Sequence, residues 1–528
     1  MDQPDIFFIV LDTQRADRLG AYGYRGRLNG SSISPNLDAF AEQSVLFEQA
    51  IAPAQWTIPS HASMFTGLYP TAHQVVQSDR SLGPDRPHLA EVLLETGYRT
   101  FGFCNNPLVG VLDNGFKRGF ETFYNYGGAF PSVPKHSTRL PWPANQILEA
   151  YTQFLRRISY PIQNFFGQSD LAFRISLNAF LTPIWSRMAN FKGQNERSVK
   201  DLVRFLEDWD KGQEEEPLFI FMNLMETHFP FWPPGEFVNQ IAPYMLRDRK
   251  ARDILRSWNR EAYRWSAPLE RPLPEFEDRV LNDMYDAEVR YQDDYLGQFF
   301  DALDRRKKAK NTLTIIVSDH GDGLGEHNRF GHAFVAYQEL VRVPMMMRWP
   351  DRLSKADRLD SPVSTRRIYH TILEAAGPFP QVDLNLDPAE VNGLTLLASQ
   401  RGADPERGLA FSEVYPPLNY AKAIRQRHPE LLDMYRCLSM RRTVLSEKMK
   451  LIQVGDQADE LFDITEDPLE LNNIISDQPQ EAARLNQEII QLTHLAGAQR
   501  DNLAHGQRIN LGVDEQLLNR LRGLGYLE

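Results

Sequence analysis

Three short runs, residues 6–11, 218–224 and 312–318, most constrain what this chain can fold into. The first, IFFIVL, is apolar without interruption. A strand that reads this way needs burial on both faces, as in a parallel sheet covered by helices. LFIFMNL reads as a second buried strand, and TLTIIVS is strongly β-like. Helical patterns fall between them, at 35–43 with Ser34 as cap, 88–96 with Gly97 as stop, 195–209 and 283–303. In the last of these, Leu296, Phe299, Phe300 and Leu303 recur at steps of three and four residues, which predicts one core-facing side. Short strands are expected at 45–47, 100–104 and 345–350. This alternation predicts a layered α/β domain over 1–406. From about 407 the chain shows short strands, an acidic turn and an amphipathic helix near 480–496, so 407–528 reads as a smaller C-terminal α+β unit.

Each long strand is followed by residues that can do chemistry. Asp12 comes directly after the first, His228 stands just beyond the second, and the third ends in Asp319-His320-Gly321. In open α/β sheets, ligands gather at the carboxyl ends of strands. The block WTIPSHASMFTGLYP adds a hydroxyl, Thr57, just ahead of Pro59 in what reads as the first turn of a helix stopped by Gly67. An oxygen nucleophile there sits among free N–H groups at the positive end of the helix dipole, where an alkoxide or a tetrahedral oxyanion is stabilised. An ordinary capping Thr is the alternative. Asn105 and Asn106 end another strand and read as turn formers within reach of a ligand.

The net charge, −12, argues against a general surface for nucleic acid or anionic membrane. In such a protein a site for an anionic substrate needs a local cation. Asp12, Thr57, Asp319 and His320 supply three oxygens and one imidazole, a donor set that suits Mn²⁺, Zn²⁺ or Fe²⁺ better than Mg²⁺ or Ca²⁺. Such an ion would lower the pKa of the Thr57 hydroxyl. His228 and His332 are candidates to hold substrate oxygens or to protonate a leaving group. A second metal would need more ligands, for which Glu226, His228 and His332 are the obvious recruits. His61, His73 and His327 read as structural. Only two cysteines occur, Cys104 and Cys437, which excludes a disulfide framework and suits a reducing compartment. The start, MDQPDIFFIVLDT, lacks a signal-peptide pattern, so a cytoplasmic location and no transmembrane segment are expected. Residues 130–191, rich in aromatics, Arg and Pro, read as helices inserted over the active edge. They fit a packed insertion, a lid, a contact in a homo-oligomer or a patch for a lipid-like substrate.

Asp12 after the first strand, WTIPSHASMFTGLYP, METHFPFWPP, SDHGDGLGEHNRFGHAFVAYQELVRVP and the tail DELFDITEDPLELNNI together resemble the sulfatase-like branch of the alkaline phosphatase superfamily. The blocks run through nearly the whole chain apart from 130–191. The resemblance implies an α/β/α sandwich around a central, mostly parallel sheet, one or two divalent metals and a covalent intermediate. It implies Asp12, Asp319 and His320 as metal ligands, Thr57 as nucleophile and further ligand, and His228 and His332 in contact with substrate.

Departures from the pattern refine the expectation. Sulfatases carry Cys or Ser, oxidised to formylglycine, in a motif that also holds Arg. Here the slot holds Thr57, and His61 stands in place of the Arg. The methyl on the carbinol carbon of Thr prevents that oxidation from giving an aldehyde. His332 stands roughly where sulfatases have a lysine. The Asp319-His320 pair resembles the phosphodiesterases, phosphonate monoester hydrolases and phosphoethanolamine or glycerol-phosphate transferases of the family. The leading expectation is a metal-dependent hydrolase of a phosphodiester or phosphonate monoester, acting on a small anionic ester that is lipid-like or sugar-linked. The alternatives are a transferase to a hydroxyl acceptor, a sulfatase acting without formylglycine, and a catalytically silent binding protein.

Overall fold

The structure, a computed structural model, describes residues 3–26, 30–127, 192–212, 215–377, 388–397, 404, 406–504 and 506–509. The inserted segment 130–191 lies outside them. The continuous apolar run at the start forms β1 (Asp5–Leu11), buried along its whole length. It is the middle of an eight-stranded sheet made with β2 (Val45–Phe47), β3 (Arg99–Cys104), β4 (Thr122–Asn125), β5 (Leu218–Leu224), β6 (Thr312–Val317), β7 (Met345–Arg348) and β8 (Asp357–Leu359). The order across the sheet is β8-β2-β7-β6-β1-β5-β3-β4. β1 pairs parallel with β5 and β6, while β7 runs antiparallel to both of its neighbours. The sheet is therefore mostly parallel.

Successive side chains of a strand point to opposite faces. On β1, Ile6, Phe8 and Val10 enter one core with Ile58, Ala62 and Phe65. Phe7, Ile9 and Leu11 enter the other with Leu202, Leu296 and Phe299. Helices on both faces give the three layers. Phe8 is fully buried against Phe65 and Phe221. Truncating it in Phe8→Ala is expected to cost about 3–5 kcal/mol, read as a lowered urea midpoint at a fixed metal concentration.

The long helix on the second face spans Glu275–Arg305 rather than starting near 283. Its first turns bury Val280, Leu281 and Met284 on the core-facing side, and Glu275, Glu277 and Asp278 favour its positive end. Ser34 stands before the helix Pro35–Ala41, yet its side chain does not cap it. Its hydroxyl instead donates to Asp38 and accepts from the Gly20 N–H. The C-terminal unit is a second sheet of four antiparallel strands in sequence order, β9 (Ala410–Val414), β10 (Arg441–Leu445), β11 (Met449–Val454) and β12 (Gln457–Asp463). The helix Pro479–Asp501 packs on it through Leu485 and Ile489, and Leu68, Tyr69 and Ala72 complete that core. No helix among the described residues is long and apolar enough to cross a membrane.

Candidate metal and catalytic site

Strand register brings the two aspartates together. Val10 pairs with Val317, so the chain leaves adjacent parallel strands with Asp12 and Asp319 two residues further on in each. His320 follows, and one donor atom each of Asp12, Asp319 and His320 lies within 4.8 Å of the others. All three side chains are buried. His320 Nε2 is 3.8 Å from Asp12 Oδ1 and 3.5 Å from Asp319 Oδ2. Its Nδ1 lies 2.8 Å from the Gly321 carbonyl. Donation there leaves the Nε2 lone pair turned to the carboxylates, the tautomer a metal ligand needs. Gly321 is required by its surroundings, since a Cβ would fall 2.0 Å from the Glu339 carbonyl oxygen.

Thr57 is the first residue of the helix Thr57–Thr66, and Trp56 is the residue before it. No side chain caps that helix, so the Thr57 hydroxyl is not consumed as a cap. Its Oγ1 lies 3.4 Å from His320 Nε2, and it hydrogen-bonds the Asp319 carboxylate. Gly67 closes the helix at φ +73°, a conformation that favours glycine. The four predicted ligands from three distant parts of the chain thus converge.

Burial and repulsion by Asp319 push the Asp12 carboxyl up to about 8. Burial likewise raises Asp319 to about 8 against hydrogen bonds from the Thr13 and His320 N–H groups. Asp12 Oδ1 and Asp319 Oδ2 are buried without a hydrogen-bond partner. Two like charges in low dielectric, each with an unsatisfied oxygen beside an imidazole lone pair, form a donor set that fits a divalent cation. Asp12 Oδ2 is held by Asn106 Nδ2 at 2.6 Å. Asn106 also caps the turn that follows it through the Leu108 N–H, so it forms the turn and touches the site. Thr13, next to Asp12, sits at φ +60°, a costly conformation for a β-branched residue, and directs its N–H at Asp319 Oδ1, 3.4 Å away.

The His332 ring lies 4.6 Å from that of His320, tilted to it, and meets that of His228 edge-on at 5.1 Å, so both predicted substrate-contacting histidines border the cluster. Burial, with the neighbouring imidazoles, holds both well below the usual range. His332 Nδ1 is 3.0 Å from Asp322 Oδ1, and its Nε2 has no hydrogen-bond partner. Sequence reasoning missed Asp322. Antiparallel pairing of Gly323 with Gly331 sets Asp322 opposite His332, and no spacing in the sequence announces that hairpin.

His61 packs against Phe65 and Phe221 as a structural residue does, and its ring also borders the site, with Nδ1 3.0 Å from the Thr57 carbonyl and 3.4 Å from Asp319 Oδ2. Burial pulls it down to about 3, so it is neutral where a sulfatase arginine would be charged. The signal in the sequence is its position four residues after Thr57 on one helix, one turn away. His73 bonds Ser63 and the Val75 N–H, and His327 pairs with Glu339 and stacks on Tyr337, as packing residues do. Glu226 is not among the converging donors. It takes part in a buried cluster with Lys192, Asn195 and Glu288, in which Lys192 Nζ lies 2.6 Å from Glu288 Oε1.

The sulfatase family model matches residues 4–378, which hold every residue of this cluster. The chain is 23% identical over 490 residues to an arylsulfatase of Clostridium perfringens, covering 90% of this chain and 91% of that protein. It is 23% identical over 522 residues to a multifunctional alkaline phosphatase superfamily protein of Trinickia caryophylli, covering 90% and 92%. A phosphonate monoester hydrolase of Agrobacterium radiobacter shares the fold with a TM-score of 0.63 at 18% identity, over 94% of this chain and 96% of that one. The chain belongs to the sulfatase family, within the alkaline phosphatase superfamily, and is an ester hydrolase.

Proposed function

We propose that this sulfatase-family hydrolase cleaves a phosphodiester or phosphonate monoester by attack of the Thr57 hydroxyl. The observation that carries this reading is the convergence of Thr57 Oγ1 with Asp12, Asp319 and His320 at a helix N-terminus. Those four residues would hold a divalent cation, with Mn²⁺, Zn²⁺ or Fe²⁺ favoured by the imidazole donor. Such an ion, when bound, supplies positive charge that makes the Thr57 hydroxyl more acidic and draws the substrate anion in.

The Thr57 hydroxyl gives its proton to His332 Nε2 as its oxygen bonds to phosphorus, and the bond to the leaving oxygen breaks. The first backbone N–H groups of Thr57–Thr66 face the developing negative charge. Asp322 holds His332 Nδ1, and the ring, neutral at rest, passes the proton it received at Nε2 to the leaving oxygen. His228 binds a non-bridging oxygen. Water then cleaves the phosphothreonine, with His332 taking a proton from the water and returning it to the released Thr57 oxygen.

Two displacements at phosphorus give net retention. A chiral phosphorothioate diester should therefore be hydrolysed with retained configuration, and inversion would show direct attack by water. Asp322→Asn should lower kcat by about 10–100-fold and flatten the limb of the pH profile that reports His332, with metal content unchanged. The kinship with sulfatases favours one second reading, cleavage of a sulfate ester by Thr57 itself. A substrate panel of phosphate mono- and diesters, phosphonates and sulfate esters, compared by kcat/KM, separates the two.

A further inference from the structure

A cavity of about 140 Å³ opens where the segment 329–337 meets the C-terminal sheet, and its lining includes Arg329, Tyr337, Tyr435, Arg436, Arg441 and Glu460. A single water needs only about 10–15 Å³. Arg329 is 5% exposed and Arg441 is 6% exposed. Among the described residues neither has a carboxylate partner. Arg441 donates to the Ser439 and Tyr435 carbonyls at 3.2 and 2.7 Å, and Arg329 stacks 4.7 Å from the Tyr435 ring and bonds the Cys437 thiol. All of these partners are neutral. Burial and the charge of Arg329 pull Arg441 down to about 10, and burial lowers Arg329 as well.

The other charged groups of the lining are committed elsewhere. Arg436 is paired with Asp459 at the mouth, and Glu460 accepts the Tyr337 hydroxyl at 3.0 and 3.2 Å. Two buried guanidiniums held only by dipoles and a ring are a costly arrangement, and one doubly charged anion balances both. Guanidiniums offer paired N–H donors that match oxyanions. We propose that this cavity is a second oxyanion site, taking a phosphate or sulfate group on Arg329 and Arg441, distinct from the Thr57 centre. The stretch that lines it, 329–337, also carries His332, so one piece of chain borders both sites.

The test is titration of inorganic sulfate into the metal-loaded protein by calorimetry. Arg329→Gln and Arg441→Gln should each weaken this binding at least 10-fold, whereas Thr57→Ala should leave it in place. Arg441→Lys should restore part of it. A crystal soaked in selenate should show anomalous density beside Arg329 and Arg441, which keeps the test open if a Gln variant misfolds. Sulfate binding unchanged in both Gln variants, or selenate confined to the Thr57 centre, would overturn the proposal. The source of the bound group is read from KM. A rise in Arg441→Gln only for esters with a second anionic group places part of the substrate in the cavity, and unchanged KM with lost sulfate binding places a free ion there. Neither result bears on Thr57, so the two sites are tested separately.

Discussion

Thr57→Ala should lower kcat/KM for bis-p-nitrophenyl phosphate by about 10⁴-fold or more, while elemental analysis still finds metal on the purified protein. The size follows from removing the atom that forms the covalent bond, a loss that positioning and charge stabilisation by the remaining residues do not replace. Metal should persist because Asp12, Asp319 and His320 still converge within 4.8 Å. The fold should persist too, since no side chain caps the helix Thr57–Thr66 and Ala suits its first turn. Turnover within 10-fold of the parent would reject Thr57 as nucleophile. Thr57→Ser should retain a large part of the activity.

The second large effect is on stability and depends on pH. Asp12 and Asp319 have an ordinary value of 3.8 and are raised to about 8 in the folded chain. A chelated protein therefore holds protons in its folded form that the unfolded chain has already released. This contribution to stability is fully present below about pH 4 and is lost as pH rises towards 8. A bound cation reverses the trend, because it needs the deprotonated carboxylates. Metal at about 1,000 times its dissociation constant adds ~4 kcal/mol at pH 8 and little at pH 5. Thermal melts with Mn²⁺ or with a chelator, at both pH values, check this. Asp319→Asn should melt higher than the parent in chelator at pH 8 and should not respond to metal. A metal-induced shift equal at pH 5 and pH 8 would contradict the assignment of both carboxylates as ligands.

Some features were legible because they are local. Residues 6–11 could only be a strand covered on both faces, and the same burial logic placed 218–224 and 312–318. Strand-end logic then singled out Asp12, Asp319 and His320, and the Pro59 and Gly67 signals framed the helix that begins at Thr57. The start of Glu275–Arg305 escaped because charged residues separate Phe276 from Val280 and Leu281, although these three continue the core-facing side.

Apart from the edge strands Thr122–Asn125 and Asp357–Leu359, whose incompletely buried residues make no apolar run, what the sequence determined by itself is the strands of the main sheet, the chemistry at their ends and the family. Those follow from burial patterns and from donor types that survive in any arrangement. The tertiary structure alone decided which groups share a space. Only strand register sets Asp12 beside Asp319, only the hairpin sets Asp322 against His332, and only the docking of the C-terminal sheet buries Arg329 with Arg441. Such contacts join residues far apart along the chain, where periodicity carries no information and electrostatics acts through distance in space.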